Sequence, residues 1–451
     1  MPAGSADPLV LLRSRSYLRL LLLAAIIGVP ISAVSYWFLK LVDTLQTAFF
    51  TDIPQDVLGF DTVPTWWPLP LLAIAGALVA LAIGRLPGNG GHSPADGFHP
   101  SGPLPPVELP GVVLAALATL SFGVVLGPEA PLIAIGSGLG VLAMRLAMRD
   151  APQQATAMIA AAGSFAALSS LLGSPLLGAF LLLEASGLGG PMLGLVLVPG
   201  LLAAGLGTLV FIGFDSVTGY GTFSLTIPGL PAFDHPTGAM FGWAIAIGLV
   251  APFLGRAIQL LALAVRPHVE PRMLLLMPIL GLLIGGLAIG FGEATDKSSS
   301  FVLFSGQDGL NPLLSQAGSW SVGALLLLML CKGLAYGLSL SSFRGGPVFP
   351  SMFIGAAGGI AASHLPGLEL VPAVAMGIGA MSTVMLRLPL TGTLLATLLI
   401  GSDGLAAMPL VIVSVVVAYV VIARLVPPPA PEPDSGPPAQ AEVKPEVGVA
   451  T

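Results

Sequence analysis

One short pattern occurs twice in this chain, and it restricts the possible folds more than any other feature. Around Glu129 the sequence reads Gly127-Pro128-Glu129-Ala130-Pro131, with Gly136 and Gly140 following. Around Pro350 it reads Gly345-Gly346-Pro347-Val348-Phe349-Pro350, with Gly355 and Gly359 following. In both copies a proline is followed five and nine residues later by glycine. Each copy also has a downstream companion, Ser174-Pro175-Leu176-Leu177-Gly178 and Leu388-Pro389-Leu390-Thr391-Gly392. From proline to proline the distance is 44 residues in the first copy (131 to 175) and 39 in the second (350 to 389). A chain of two related halves, each carrying Gly/Pro-interrupted apolar segments at matching places, suggests a transporter or channel. In such proteins broken helices aim their N-termini at an ion near the middle of the membrane.

Composition makes the membrane explicit. The chain is 55% hydrophobic and only 8% charged, with a mean hydropathy of +0.95, whereas soluble domains carry roughly 25% charged residues. Apolar runs lie near 18–39, 66–84, 111–126, 155–183, 191–213, 237–265, 273–291, 321–340, 371–386 and 405–426. Many are long enough for the ~20-residue helix that crosses a bilayer. The 58 glycines and 42 prolines exceed what continuous spans need, and irregular backbone at membrane depth survives only where protein buries it or a cavity solvates it. The expected fold class is therefore an all-α polytopic membrane protein of short, tilted and broken helices.

Several function classes drop out. The single cysteine, Cys331, rules out an intramolecular disulfide, and no basic patch with interleaved aromatics points to nucleic acid. There is no His-Glu-x-x-His pair, Walker loop or Ser/His/Asp set, and the five histidines (His92, His99, His235, His268, His364) are scattered. No enzyme, cofactor or metal is expected.

Residues 1–17 read as an amphipathic lead-in, 18–235 as the first membrane half, 236–426 as the second and 427–451 as a disordered Pro-rich tail with no soluble regulatory domain. The polar, Gly/Pro-rich segment 214–236 reads as an aqueous connection. Arg13, Arg15 and Arg19 precede a first run that is longer than a signal-peptide core and lacks a clear cleavage site. They place the N-terminus in the cytoplasm, and the loop with Arg266, His268 and Arg272 reads as cytoplasmic too.

Glu129 is the sharpest candidate residue. A carboxylate between two apolar runs is costly unless it faces a partner, water or a pathway. Just ahead of a helix N-terminus it would be stabilised by free N–H groups and the dipole, and a permeant anion wants the same place. The plainer alternative is an ordinary N-cap at a loop. Gly88-Asn89-Gly90-Gly91-His92-Ser93-Pro94-Ala95-Asp96 could open another helix, with His92 and Ser93 donating hydrogen bonds, or could be a flexible surface loop. Gly346 to Pro350 fits a third anion-facing helix start in which Val348 and Phe349 supply N–H groups and Pro347 cannot; the alternative is a tight turn. Glu184 closes an apolar run and either faces a water-filled vestibule or anchors a helix end. Lys332 and Arg387 suit snorkelling or carbonyl capping better than ion contact, and Arg344 could add positive potential near the motif.

These motifs resemble the CLC chloride channel and chloride/proton exchanger family over roughly 10–426. Gly127-Pro128-Glu129-Ala130-Pro131 is similar to its Gly-Arg/Lys-Glu-Gly-Pro motif with the glutamate kept. Gly345 to Pro350 is similar to its Gly-Gly-x-Phe-x-Pro motif. Ser174 through Glu184 resembles the helix after the gate, and Arg387 to Gly392 the corresponding late helix. The resemblance implies an inverted repeat, a homodimer with one anion pathway per subunit, and Glu129 as an external gate that chloride displaces and protons neutralise. It implies an anion-contacting set of Gly91, His92, Ser93, Glu129, Ala130, Val348 and Phe349. Five positions depart from the family pattern. Gly91 stands for the central-site serine, Ala185 for the inner proton-relay glutamate and Pro347 for an N–H donor. Pro128 replaces the gate-motif arginine. The family's ion-contacting tyrosine has no equivalent, because the tail occupies its stretch and Tyr419 lies one helix too early. The resulting expectation is chloride or related anion transport through a glutamate-gated pathway in a bacterial plasma membrane, passive because Ala185 removes a relay carboxylate. Alternatives are a chloride/proton antiporter using Glu184 or water, a fluoride or other-anion specialist, and a non-conducting scaffold.

Overall fold

The computed structural model describes residues 12–99, 102–187, 191–219 and 230–426. Among them are fifteen α-helices joined by short turns, and no strand. The first half contains α1 (Arg15–Thr47), α2 (Pro68–Arg85), α3 (Leu109–Ser121), α4 (Glu129–Ala147), α5 (Gln153–Leu172), α6 (Pro175–Ser186) and α7 (Pro191–Thr218). The second contains α8 (Gly238–Val269), α9 (Met273–Thr295), α10 (Gln307–Ser315), α11 (Val322–Ser342), α12 (Val348–Ser363), α13 (Leu370–Leu386), α14 (Pro389–Ile400) and α15 (Gly404–Leu425). Eight stretches are long and apolar enough to cross a membrane. Helices α3, α6, α12 and α13 are apolar but shorter. At 1.5 Å per residue they fall short of the ~30 Å hydrocarbon core, so their ends meet other protein at depth.

The glycine spacing of the repeated motif is a packing rule. At the crossing of α4 and α5, Gly136 faces Gly163, and a Cβ on either would strike the other's carbonyl oxygen. At the crossing of α12 and α13, Gly355 and Gly377 stand in the same reciprocal relation. About one turn on, the second motif glycine lies against the partner helix backbone, Gly140 on Ile159–Ala160 and Gly359 on Ala373–Val374. Lipid tails are as apolar as leucine, so helices associate here by close backbone contact, which needs small residues at helical spacing.

The companions repeat as well. Helices α6 and α14 are each 12 residues long and begin on proline, which suits the first helical position. Each follows a residue in the left-handed region, Gly173 at φ 62° and Arg387 at φ 63°. The apolar run 155–183 is thus two helices, broken at Gly173. Residues 1–11 of the expected lead-in lie outside the described residues; Ser14 then caps α1, accepting the Tyr17 N–H at 3.1 Å. The expected connection 214–236 is helical as far as Thr218, and its residues 220–229 lie outside the described residues, as does the tail 427–451.

Candidate functional site

Helices α4 and α12 start where the two repeats touch. The N–H of Gly127 donates to the Gly346 carbonyl at 2.8 Å and the N–H of Gly346 to the Gly127 carbonyl at 2.6 Å, an isolated antiparallel bridge. Proline follows each bridging glycine and serves as N-cap, Pro128 for α4 and Pro347 for α12. The bridge fixes both helix starts in one place. Glu129, the first residue of α4, is fully buried. Its Oε1 accepts the Phe349 N–H of α12 at 3.0 Å. Oε2 has no partner. A Cβ on Gly346 would overlap that oxygen, so the carboxylate fits only because position 346 has no side chain. Val348 and Phe349 thus open a helix N-terminus of the kind that suits a negative group, and the protein's own carboxylate lies against it.

Beside this lies a small cavity of about 50 Å³, lined among others by Gly91, His92, Ser93, Ala130, Arg344 and Pro347. A water needs roughly 10–15 Å³ by this kind of measure, so there is room for a small anion or a few waters. Four of the expected anion-contacting residues therefore share this cavity, and Glu129, Val348 and Phe349 form a separate cluster at the helix junction. The helix expected to open near Gly88–Asp96 is not formed. Only 3-10 turns of four residues (Pro87–Gly90) and three residues (Pro94–Asp96) occur. Gly88, Asn89, Gly90 and Gly91 all have positive φ, a run no α-helix accepts. Gly97, Gly102, Pro103, Pro105 and Pro106 keep the segment irregular up to α3, so no helix dipole acts on the cavity from this side.

Glu184 is an anchor. Its Oε1 accepts the Leu390 N–H at 2.8 Å, and its Oε2 accepts the Thr391 N–H and hydroxyl, both at 2.7 Å. It caps α14 from the end of α6 and so ties the halves together. Lys332 is a carbonyl cap in the buried interior. Its ammonium donates to the carbonyls of Phe301, Val302, Leu303 and Phe304 at 3.0–3.3 Å and lies 4.4 Å from the Phe353 ring of α12. Arg387 donates to the side chain of Gln259 at 3.3 Å.

Sequence reasoning missed two features. Tyr336, fully buried, donates its hydroxyl to the Pro347 carbonyl at 2.9 Å and braces the start of α12; within an apolar run it carried no signal. A larger cavity of about 920 Å³ opens at the C-terminal ends of α1 and α9. It is lined by Asp43, Glu293, Asp296 and Asp308, with Lys297 among them. Asp43 lies 250 residues before Glu293 in the chain, and only the tertiary fold brings it to the others.

Comparison with known proteins agrees with this architecture. A family model described as voltage gated chloride channel matches residues 95–423. The chain is similar to the curated "Putative ion-transport protein YfeO" of Salmonella choleraesuis strain SC-B67, 30% identical over 424 residues covering 91% of this chain and 96% of that one. The namesake of Escherichia coli strain SMS-3-5 is 28% identical over 91% of this chain and 94% of its own. Among solved structures it resembles a slow cyanobacterial Cl-/H+ antiporter (TM-score 0.71, 20% identity, 90% of this chain and 95% of that one). It also resembles a CLC-type fluoride/proton antiporter (TM-score 0.62, 18% identity, with the same coverage). At these identities the structural likeness speaks for the fold.

Proposed function

This chain belongs to the voltage-gated chloride channel (CLC) family of anion-transporting membrane proteins, and from that premise we propose that it moves chloride or a related small anion passively, with Glu129 as the gate. The observation that carries the reading is the bond from the Phe349 N–H to Glu129 Oε1. The carboxylate fills an anion-binding helix start with one oxygen and leaves the other without a partner. Dislodging it requires a competing anion on the N–H groups of Val348 and Phe349, or a proton on the carboxylate. A proton weakens the carboxylate's hold on N–H donors and vacates the site. The ion then passes between the helix junction and the cavity at Gly91, His92, Ser93 and Ala130.

Passive conduction is favoured because the expected relay position holds Ala185 and its neighbour Glu184 is occupied by three hydrogen bonds at the start of α14. A carboxylate so held is poorly placed to shuttle protons. The subunit arrangement is a homodimer with one pathway per subunit, supported by the apolar faces that α6 and α14 leave exposed at Leu176, Phe180, Leu390 and Leu398. The N-terminus lies in the cytoplasm of a bacterial cell, as Arg15 and Arg19 at the start of α1 favour.

The deciding experiment is paired chloride and proton flux from purified protein in liposomes under an imposed chloride gradient. Chloride movement without proton movement is expected. Uphill proton movement driven by chloride overturns passivity in favour of exchange, and fluoride flux without chloride flux would make fluoride, not chloride, the small anion moved. No flux of any anion from a well-folded dimer overturns transport itself.

A further inference from the structure

Arg344 is the charge at the site that the gate does not use. It lies two residues before Gly346 of the bridge and is only 9% exposed. Its Nε donates to the Asn89 carbonyl at 3.2 Å, and its Nη1 to the carbonyls of Ser342 at 3.2 Å and Phe343 at 3.3 Å. All three acceptors are neutral. The ion pairs among the described residues leave it out, since Asp96 and Glu270 are both taken by Arg266. Its Nη2 has no hydrogen-bond partner among the described residues, and the side chain lines the small cavity. Arginine stays protonated in proteins, and Asp96 and Glu270 act on this one only at a distance, opposed by the Arg266 charge, so a buried cation with no carboxylate in contact is costly. The cavity also holds a second unsatisfied group. Ser93 Oγ is buried and without a partner, while Gly91, Ala130 and Pro347 add no side-chain polar atom.

We infer that Arg344 Nη2 and the Ser93 hydroxyl bind the transported anion directly, with Arg344 as its counter-charge in the small cavity. This deepens the transport reading and rests on it for the direction of flow. The chemical class follows from the donors. One guanidinium nitrogen and one hydroxyl without partners belong to residues that line the same cavity of about 50 Å³, which suits a single monovalent, monatomic anion better than an oxyanion, which seeks the bidentate guanidinium fork. The three carbonyl bonds hold the guanidinium in place before the ion arrives, so little side-chain freedom is lost on binding. The site is also stapled across the repeats, because Asn89 belongs to the first half and Arg344 to the second.

The test is chloride binding by titration calorimetry to purified full-length protein, with Glu129 intact so that its carboxylate lies against the start of α12. Arg344→Gln is expected to raise the chloride Kd about tenfold or more, as for loss of a hydrogen bond to a charged group. Ser93→Ala is expected to raise it about tenfold, because the hydroxyl donates to a charged acceptor. Arg344→Lys, which keeps the charge without the fork, falls between wild type and Arg344→Gln. Melting temperatures and nitrate-to-chloride flux ratios are measured in parallel. A purely structural arginine would lower the melting temperature and leave the Kd and the ratio unchanged in the folded fraction. An unchanged Kd in folded Arg344→Gln, or in Ser93→Ala should the first variant not fold, overturns the inference. Wild-type protein that moves no anion overturns the transport reading separately.

Discussion

The helix starts of α4 and α12 share a backbone plan and differ in the groups they offer. Each follows a bridging glycine, is capped by proline and carries glycines that let it cross its partner helix closely. Helix α4 opens with a carboxylate, Glu129, whereas α12 opens with the bare N–H groups of Val348 and Phe349. The two copies share the parts that position a helix start, and one side chain of the first, Glu129, accepts an N–H of the second. The second copy is also braced by buried side chains of α11. Tyr336 holds the Pro347 carbonyl, and Lys332 holds four carbonyls behind Phe353.

Removing the charge that distinguishes the copies should have the largest effect. With Glu129 as the proposed gate, acidification is expected to protonate it and free the N–H groups, so that wild-type anion flux should rise as pH falls. Glu129→Gln imitates the protonated state permanently, and its flux should be high and flat across the same range. Anion efflux from liposomes at a series of pH values checks this, and a pH response that persists in the variant removes Glu129 from the gate.

The bracing of the second copy comes next. Lys332→Met leaves four buried carbonyls without their shared donor. A buried acceptor left unsatisfied costs about 1–3 kcal/mol, so a fall in melting temperature in detergent is expected. A melting temperature within a degree or two of wild type would mean that the loop 301–304 relaxes freely and that the brace is idle.

The repeated backbone was legible in the sequence, because close helix crossing demands glycine at helical spacing, and that demand leaves a pattern a reader can count. Glu129 was legible for a related reason, since a carboxylate between apolar runs beside prolines has few inexpensive explanations. What stayed hidden was juxtaposition. Nothing local says that Gly127 and Gly346 pair, that Lys332 finds carbonyls some 30 residues earlier in the chain, or that Arg344 shares a cavity with Ser93. The expected helix at Gly88–Asp96 failed because glycines were read as a helix start when their positive φ values make a winding loop.

The shared backbone plan predicts matched penalties. In Gly136→Ala and in Gly355→Ala the new methyl meets a backbone carbonyl of the facing helix, and overpacking of this kind costs about 1–3 kcal/mol. The two variants should lose similar amounts of melting temperature. A large loss in one and none in the other would show that the two crossings are not mechanically equivalent.

The smallest effect has the opposite sign and concerns the turns before α6 and α14. Gly173 and Arg387 occupy the same left-handed conformation, which glycine adopts freely and which costs other residues about 1–2 kcal/mol. Arg387 also leaves its buried Nε without a partner and holds one bond to Gln259 at 3.3 Å. Arg387→Gly would relieve the backbone and remove the orphaned donor, at the loss of that single bond, worth about 1 kcal/mol. The balance favours the variant by a few tenths to about 1 kcal/mol, seen as a small rise in melting temperature. A clear fall would mean that Arg387 holds α14 against α8 through Gln259 more strongly than its strained backbone opposes it, and that the second copy kept an arginine there for that reason.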